Sequence, residues 1–110
     1  KIERPFLGVR YLEITDAVQA ANNLAVDYGV IVIRGESREE LAVLSESPAA
    51  TAGIKEGDIL LELNGEKINS DQSFASRLRA FAVGDTVELL VRRNGEEFIV
   101  EATLEAAPNT

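Results

Sequence analysis

The sequence has no histidine, no cysteine and no methionine. Without histidine, the commonest general base and metal ligand is gone, and a Ser-His-Asp triad cannot be assembled within the chain. Without cysteine there is no disulfide, no thiolate nucleophile and no zinc–thiolate site. That absence leaves the compartment open. Without methionine there is no initiator residue, so the chain reads as a piece cut from a longer protein. Long hydrophobic runs are missing too. Nothing approaches the roughly 18 apolar residues of a membrane-spanning helix, and the pattern of a secretory signal is not seen.

Positive charge is also scarce. Eleven Lys and Arg face 19 Asp and Glu, for a net charge of −8. Nucleic-acid binding needs a basic footprint, and anionic membranes attract one, so neither partner is expected. The acidic excess is spread along the chain and reads as a solubility feature. What remains is 110 residues, 45% hydrophobic and 27% charged. That suits one compact domain with a single core.

Residues 6 to 12, FLGVRYL, read as a strand with a glycine inside it. Glycine weakens a strand interior and usually marks a bulge or a close approach. Thr15 or Asp16 can cap a helix, DAVQAANNLAV, that frays near Asp27. GVIVIR, 29 to 34, is a β-branched run and reads as a buried strand. A polar loop, GESREE, follows, and LAVLS at 41 to 45 is read as the second arm of a hairpin.

Ser47 is a good N-cap, Pro48 suits the first helical position and Gly53 a left-handed C-cap, giving a helix of little more than one turn. DILLELNG is a strand ending in the turn pair Asn64-Gly65. Asn69 or Ser70 can cap a helix over 70 to 82, with Phe74, Leu78 and Phe81 on its apolar stripe. TVELLVRR and EEFIVEATL flank Asn94-Gly95, a strong hairpin signal. The tail AAPNT is read as disordered. Together these make an α+β domain of five to six short strands, two main helices and a short third. The sheet is small and mostly antiparallel, a sandwich or partial barrel.

Catalytic patterns are weak. Ser47 and Ser70 are explained as caps, and Lys1, Lys55 and Lys67 lie in terminal or turn segments, unsuited to a shielded Ser–Lys pair. The carboxylates sit in turns or on exposed strand faces. No calcium loop, other metal cluster or phosphate-cradling glycine run stands out, so no catalytic residue and no cofactor is expected.

Two stretches carry a resemblance. SPAATAGIKEGDILLELNG, 47 to 65, is similar to a bacterial PDZ segment, in which Ser-Pro-Ala-Ala-x-Ala-Gly-Leu/Ile precedes x-x-Gly-Asp and an apolar strand ending Asn-Gly. PFLGV resembles the carboxylate-binding loop x-Φ-Gly-Φ of the same domains, where Φ is apolar. With a helix between the first two strands and a hairpin after the last helix, the layout looks like the PDZ domain that follows the protease domain of HtrA/DegP-type serine proteases. The resemblance covers roughly residues 4 to 104. It implies a linker at 1–5 from an upstream protease domain, a PDZ domain at 6–104 in the circularly permuted bacterial topology with an extra helix after the first strand, and a tail at 105–110. The longer connection GESREELAVL at 35–44 departs from the family pattern.

The resemblance also implies a function. The domain would capture the free C-termini of peptides or unfolded proteins as an added strand, and would present them to, or regulate, the attached protease. Amides of Leu7, Gly8 and Val9 would hold the carboxylate, with Gly8 clearing its path. Phe6, Arg10 and Tyr11 belong to the same strand region. Leu7, Val9, Phe74 and Leu78 would wall a side-chain pocket, with Ala75 leaving room. Asp71 would sit near the second-from-last ligand residue. The implied location is the cell envelope, the parent a trimer-based homo-oligomer and the isolated domain a monomer. The alternatives are a PDZ domain of another envelope protease or secretion component, or an occluded one used in assembly.

Overall fold

The computed structural model describes residues 5–35, 41–44, 46–69 and 74–106. Its elements run β1 (Pro5–Phe6), β2 (Tyr11–Glu13), α1 (Asp16–Asn22), β3 (Val30–Val32), α2 (Pro48–Ala52), β4 (Ile59–Leu63), β5 (Glu66–Lys67), α3 (Phe74–Leu78), β6 (Thr86–Arg93), β7 (Glu96–Thr103) and β8 (Glu105–Ala106). A six-stranded antiparallel sheet has the order β2-β3-β4-β6-β7, with β5 folded back on β4. Among the described residues the sheet stays open, with β2 at one edge. The α+β reading holds, and among the described residues the sheet does not close into a barrel.

The β6–β7 hairpin follows its alternation. Val87, Leu89 and Val91 are buried while Glu88 is exposed, and Ala102 faces inward while Ile99 stays exposed. Val91 pairs with Phe98 and Leu89 with Val100, so apolar side chains meet on one face. That face joins Leu7, Val30, Val32, Leu60, Leu63, Phe74 and Leu78 in the main core. A smaller cluster of Ile14, Ile59 and Leu61 lies on the other face, covered by Leu24, Val26 and Tyr28.

Helix α2 forms as its sequence requires. Ser47 caps it, its Oγ accepting from Ala50 N–H at 3.2 Å, Pro48 opens it and Gly53 closes it. Behind it lies a charged tie. Asp58, 1% exposed, accepts from Arg93 Nε at 2.7 Å and Nη2 at 2.6 Å, and from the Lys55 N–H at 2.9 Å. Arg93 also donates to the Gly53 carbonyl at 2.9 Å. The hairpin end, the α2 C-cap and the turn before β4 are thus joined at one carboxylate. Hydrogen bonding to Asp58 raises the Arg93 guanidinium pKa above its ordinary value. At the surface, hydrogen bonds from Arg34 hold Glu56 below the usual carboxylate range. That stabilisation is present above the unfolded pKa and is lost as pH falls through the folded one. Both side chains are exposed, so its contribution is small.

Four expectations change. The strand over 6 to 12 is broken: β1 and β2 are separate, with residues 7–10 between them and the backbone redirected at Gly8 (φ +94°). Helix α1 ends at Asn22, because Asn23 takes a left-handed conformation (φ 53°) and sends Leu24 and Val26 onto the smaller cluster. Of the 41–45 hairpin arm, residue 45 lies outside the described residues, and the described 41–44 form no strand against β3; Val43 bridges Val9 instead. Glu105 and Ala106 pair with Phe6 and Pro5, so the sheet contacts extend beyond both ends of the 6–104 range. Residues 1–4 and 107–110 lie outside the described residues, as does the 70–73 start of the expected 70–82 helix.

Removing the Asp58 carboxylate strands the Arg93 guanidinium in a partly buried site. Asp58→Ala is expected to cost about 3 kcal/mol in urea unfolding; a loss below about 1 kcal/mol would show that the tie is dispensable.

Candidate functional site

The turn between β1 and β2 is held from behind. The Leu7 carbonyl accepts from Ala49 N–H at 2.8 Å, and the Gly8 carbonyl from Leu44 N–H at 2.9 Å. A peptide unit is planar and trans, so its N–H points opposite to its carbonyl. With both carbonyls turned to the protein body, the N–H groups of Gly8 and Val9 point away from it. Among the described residues neither has an acceptor. Successive outward amides at a tight turn make a concavity suited to an anion.

Gly8 is essential to this geometry. Its φ is +94°, which side-chain-bearing residues rarely adopt. A methyl built there would overlap the Cβ and Oγ of Ser47. A side chain at Gly8 would therefore point at the buried Ser47, so packing within the fold by itself requires glycine here. Ser47 itself is fixed, its Oγ donating to the Leu44 carbonyl at 2.7 Å while capping α2. The Ser-Pro-Ala segment and the Φ-Gly-Φ loop, far apart in sequence, are one packed unit.

Beyond the turn the strand has one used edge and one open edge. Arg10 donates to the Ala42 carbonyl at 2.8 Å and accepts from Ile33 N–H at 3.1 Å; Ile14 donates to the Gly29 carbonyl at 3.0 Å. Even-numbered residues thus face β3 and the 42–44 segment. By strand alternation, the backbone groups of Val9, Tyr11 and Glu13 face the other edge, where β2 has no sheet neighbour among the described residues. The described part of the inserted connection lies on the inner side and leaves that edge uncovered.

The Val9 and Tyr11 side chains lie on the main-core side, and Tyr11 faces α3. Tyr11 meets Phe74 edge to face, with ring centroids 5.2 Å apart and planes at 85°. That spacing is ring contact, so no side chain fits between the two rings. Phe74 (1% exposed) and Leu78 (9%) are core residues, as is Leu7, while Val9, Tyr11 and Phe81 are half-buried against them and Ala75 is exposed. The seam between β2 and α3 therefore has an apolar floor, with the half-buried Val9 and the exposed Ala75 nearer its surface, while Phe81 lies on the other side of α3 beside Leu63, Glu66 and Arg77. Past Leu78 the chain continues in tight turns, with Ala80 donating to the Arg77 carbonyl and Phe81 to the Leu78 carbonyl.

Of the expected site residues, Leu7, Gly8, Val9, Tyr11, Phe74, Ala75 and Leu78 lie along this turn and seam. Phe6 sits in β1, paired with Glu105, and Arg10 is exposed on the opposite face of the strand. Asp71 lies outside the described residues. Missed from the sequence as site elements were Ser47 and the backbones of Leu44 and Ala49. In the sequence Ser47 reads as a helix cap and as the first residue of the PDZ-like segment, not as a neighbour of Gly8.

The chain matches the family model described as PDZ domain over residues 5–104. It is 34% identical over 110 residues to the periplasmic pH-dependent serine endoprotease DegQ of Escherichia coli K12, covering 100% of the chain and 22% of the relative. It is also 34% identical over 107 residues to the serine protease Do-like HtrA of Bacillus subtilis 168, covering 96% and 23%. A probable periplasmic serine endoprotease DegP-like of Marinomonas sp. MWYL1 is 32% identical over 109 residues, covering 99% and 22%. The chain thus spans about a fifth of the length of these relatives.

Among solved structures, the HtrA3 PDZ domain bound to a phage-derived ligand, FGRWV, superposes with a TM-score of 0.70 at 23% identity, covering 96% of this chain and 89% of that one. The HtrA-type protease AlgW with a decapeptide superposes with a TM-score of 0.74 at 21% identity, covering 98% and 31%.

Gly8→Ala places a methyl both at a disfavoured φ and against Ser47. Urea unfolding is expected to show a loss of about 3 kcal/mol, partly restored by Ser47→Gly in the double variant. A loss below about 0.5 kcal/mol would contradict the interlock.

Proposed function

The chain belongs to the PDZ family, in the branch carried by DegQ, DegP and HtrA serine proteases, and from that membership we propose that it captures free peptide C-termini along the open edge of β2. One observation carries the reading: the outward N–H groups of Gly8 and Val9 stand at the end of that edge, where a bound strand's terminal carboxylate would lie. The peptide would add as an antiparallel strand, exchanging hydrogen bonds with Val9, Tyr11 and Glu13. Its last side chain would enter the seam beside the Tyr11–Phe74 pair, over Val9 and Leu78. Leu7 N–H, Arg10 and Asp71 are assigned supporting roles by family likeness. The HtrA3 PDZ domain and AlgW, which share the fold, are solved with peptides, in keeping with a peptide ligand here.

Carboxylate capture here relies on amides, since the chain as a whole carries a net charge of −8. Charge-assisted hydrogen bonds contribute about 1.5–3 kcal/mol each before association costs. Filling an apolar site with one side chain adds about 1.5–3 kcal/mol. After those costs, an affinity near micromolar, about −8 kcal/mol, is expected.

The chain is a PDZ domain only. Its relatives are serine endoproteases, and their catalytic domain is not in this chain. The periplasmic relatives support a cell-envelope location by family resemblance. In a parent of that kind, the domain would offer bound termini to the protease or bias it between states. The Tyr11–Phe74 contact favours a second reading, in which the seam is closed and the domain serves assembly.

Titration with a short apolar-ended peptide, free or amidated at its C-terminus, separates the two readings. Amidation is expected to lower affinity at least about tenfold. Equal binding of both forms would reject carboxylate capture, and binding of neither would favour the closed seam.

A further inference from the structure

A peptide held on the open edge of β2 has its register fixed by its carboxylate. With the carboxylate on the Gly8 and Val9 amides, the next outward backbone group is the Val9 carbonyl, which receives the N–H of the last ligand residue. Antiparallel pairing then sets the last residue opposite Val9, the second-from-last opposite Arg10, the third opposite Tyr11 and the fourth opposite Leu12.

Leu12 is unusual at that place. Its backbone groups face β3, in register with Ile31, so its pair across the open edge is of the non-hydrogen-bonded kind, in which side chains lie closest. Its side chain is on the face away from Tyr11 and Phe74, and it is 41% exposed. On that face it is the outermost member of an apolar row: Leu12 pairs with Ile31 and Ile31 with Ile59, which is buried in the smaller cluster. The row runs across β4, β3 and β2 and stops at the open edge. An added strand would extend it by one position, and that position belongs to the fourth residue from the ligand's end.

We propose that Leu12 is a specificity-determining residue, and that the domain selects C-terminal peptides with an apolar side chain fourth from the end. This rests on the strand-addition reading above. It gives the ligand two apolar contacts on opposite faces of the strand, one in the seam and one on the Leu12 row. A peptide apolar at only one of the two positions would be held on one face.

The test uses acetylated peptides Ala-Ala-X-Ala-Ala-Val, with X leucine, serine or lysine, each with a free or amidated C-terminus, titrated against the chain. The leucine peptide is expected to bind about fivefold tighter than the serine peptide, the worth of one close cross-strand pair. In Leu12→Thr, which keeps a strand-forming residue, the ratio should fall to about one. In Leu12→Glu the preference should turn toward X lysine. A ratio near one on the unaltered chain, or one that persists in Leu12→Thr, overturns the proposal. If amidation abolishes binding yet X has no effect, the role of Leu12 fails and carboxylate capture stands. If free and amidated peptides bind alike, or none binds, the strand-addition reading fails and takes this inference with it.

Discussion

The site depends on two carbonyls being held from behind. Leu7 and Gly8 each point a C=O into the protein body, where Ala49 and Leu44 donate to it. Because the peptide unit is rigid, fixing the carbonyl fixes the amide on the other side. Neither anchoring hydrogen bond contributes more than about 1 kcal/mol of net stability. Their effect is directional: they turn Gly8 and Val9 N–H groups outward at the end of an open strand edge. On the proposed reading a carboxylate would meet donors already in place, and little ordering would have to accompany its binding.

That arrangement draws on the whole domain. Ala49 can donate because α2 starts at Pro48, and α2 starts there because Ser47 caps it. Ser47 also fills the space that Gly8 leaves. The C-terminal end of α2 is tied through Gly53 to Arg93 and Asp58, and so to the β6–β7 hairpin. The inserted connection contributes as well: Ala42 and Leu44 hydrogen-bond to Arg10 and Gly8 on the inner edge. The described part of this segment therefore supplies a structural edge on one side of the strand and leaves the opposite side uncovered.

Much of the fold was legible because its signals are local. The Asn94-Gly95 hairpin, the Ser47–Gly53 helix and the strand before Asn64-Gly65 each carry their own start, stop and periodicity. What the sequence concealed was non-local. Nothing near Val43 announces that it will bridge Val9 rather than pair with the preceding strand, and two-residue strands such as β1 and β8 are too short for any period. For the site, Gly8 stood out at once, but its reason did not: a glycine marks a close approach without naming the group that approaches. Ser47, read as a cap, proved to be both cap and neighbour. The Leu12 row was invisible until the register of β2, β3 and β4 was known, since alternation alone does not say which residues share a face across strands.

The most direct test of the central claim is an amide nitrogen–proton correlation spectrum recorded through a peptide titration. A free-carboxylate peptide should move the Gly8 and Val9 amide protons downfield, as charge-assisted hydrogen bonds form there. The amidated peptide should leave both nearly unmoved. Saturable binding of the free peptide with Gly8 and Val9 unshifted would contradict the claim.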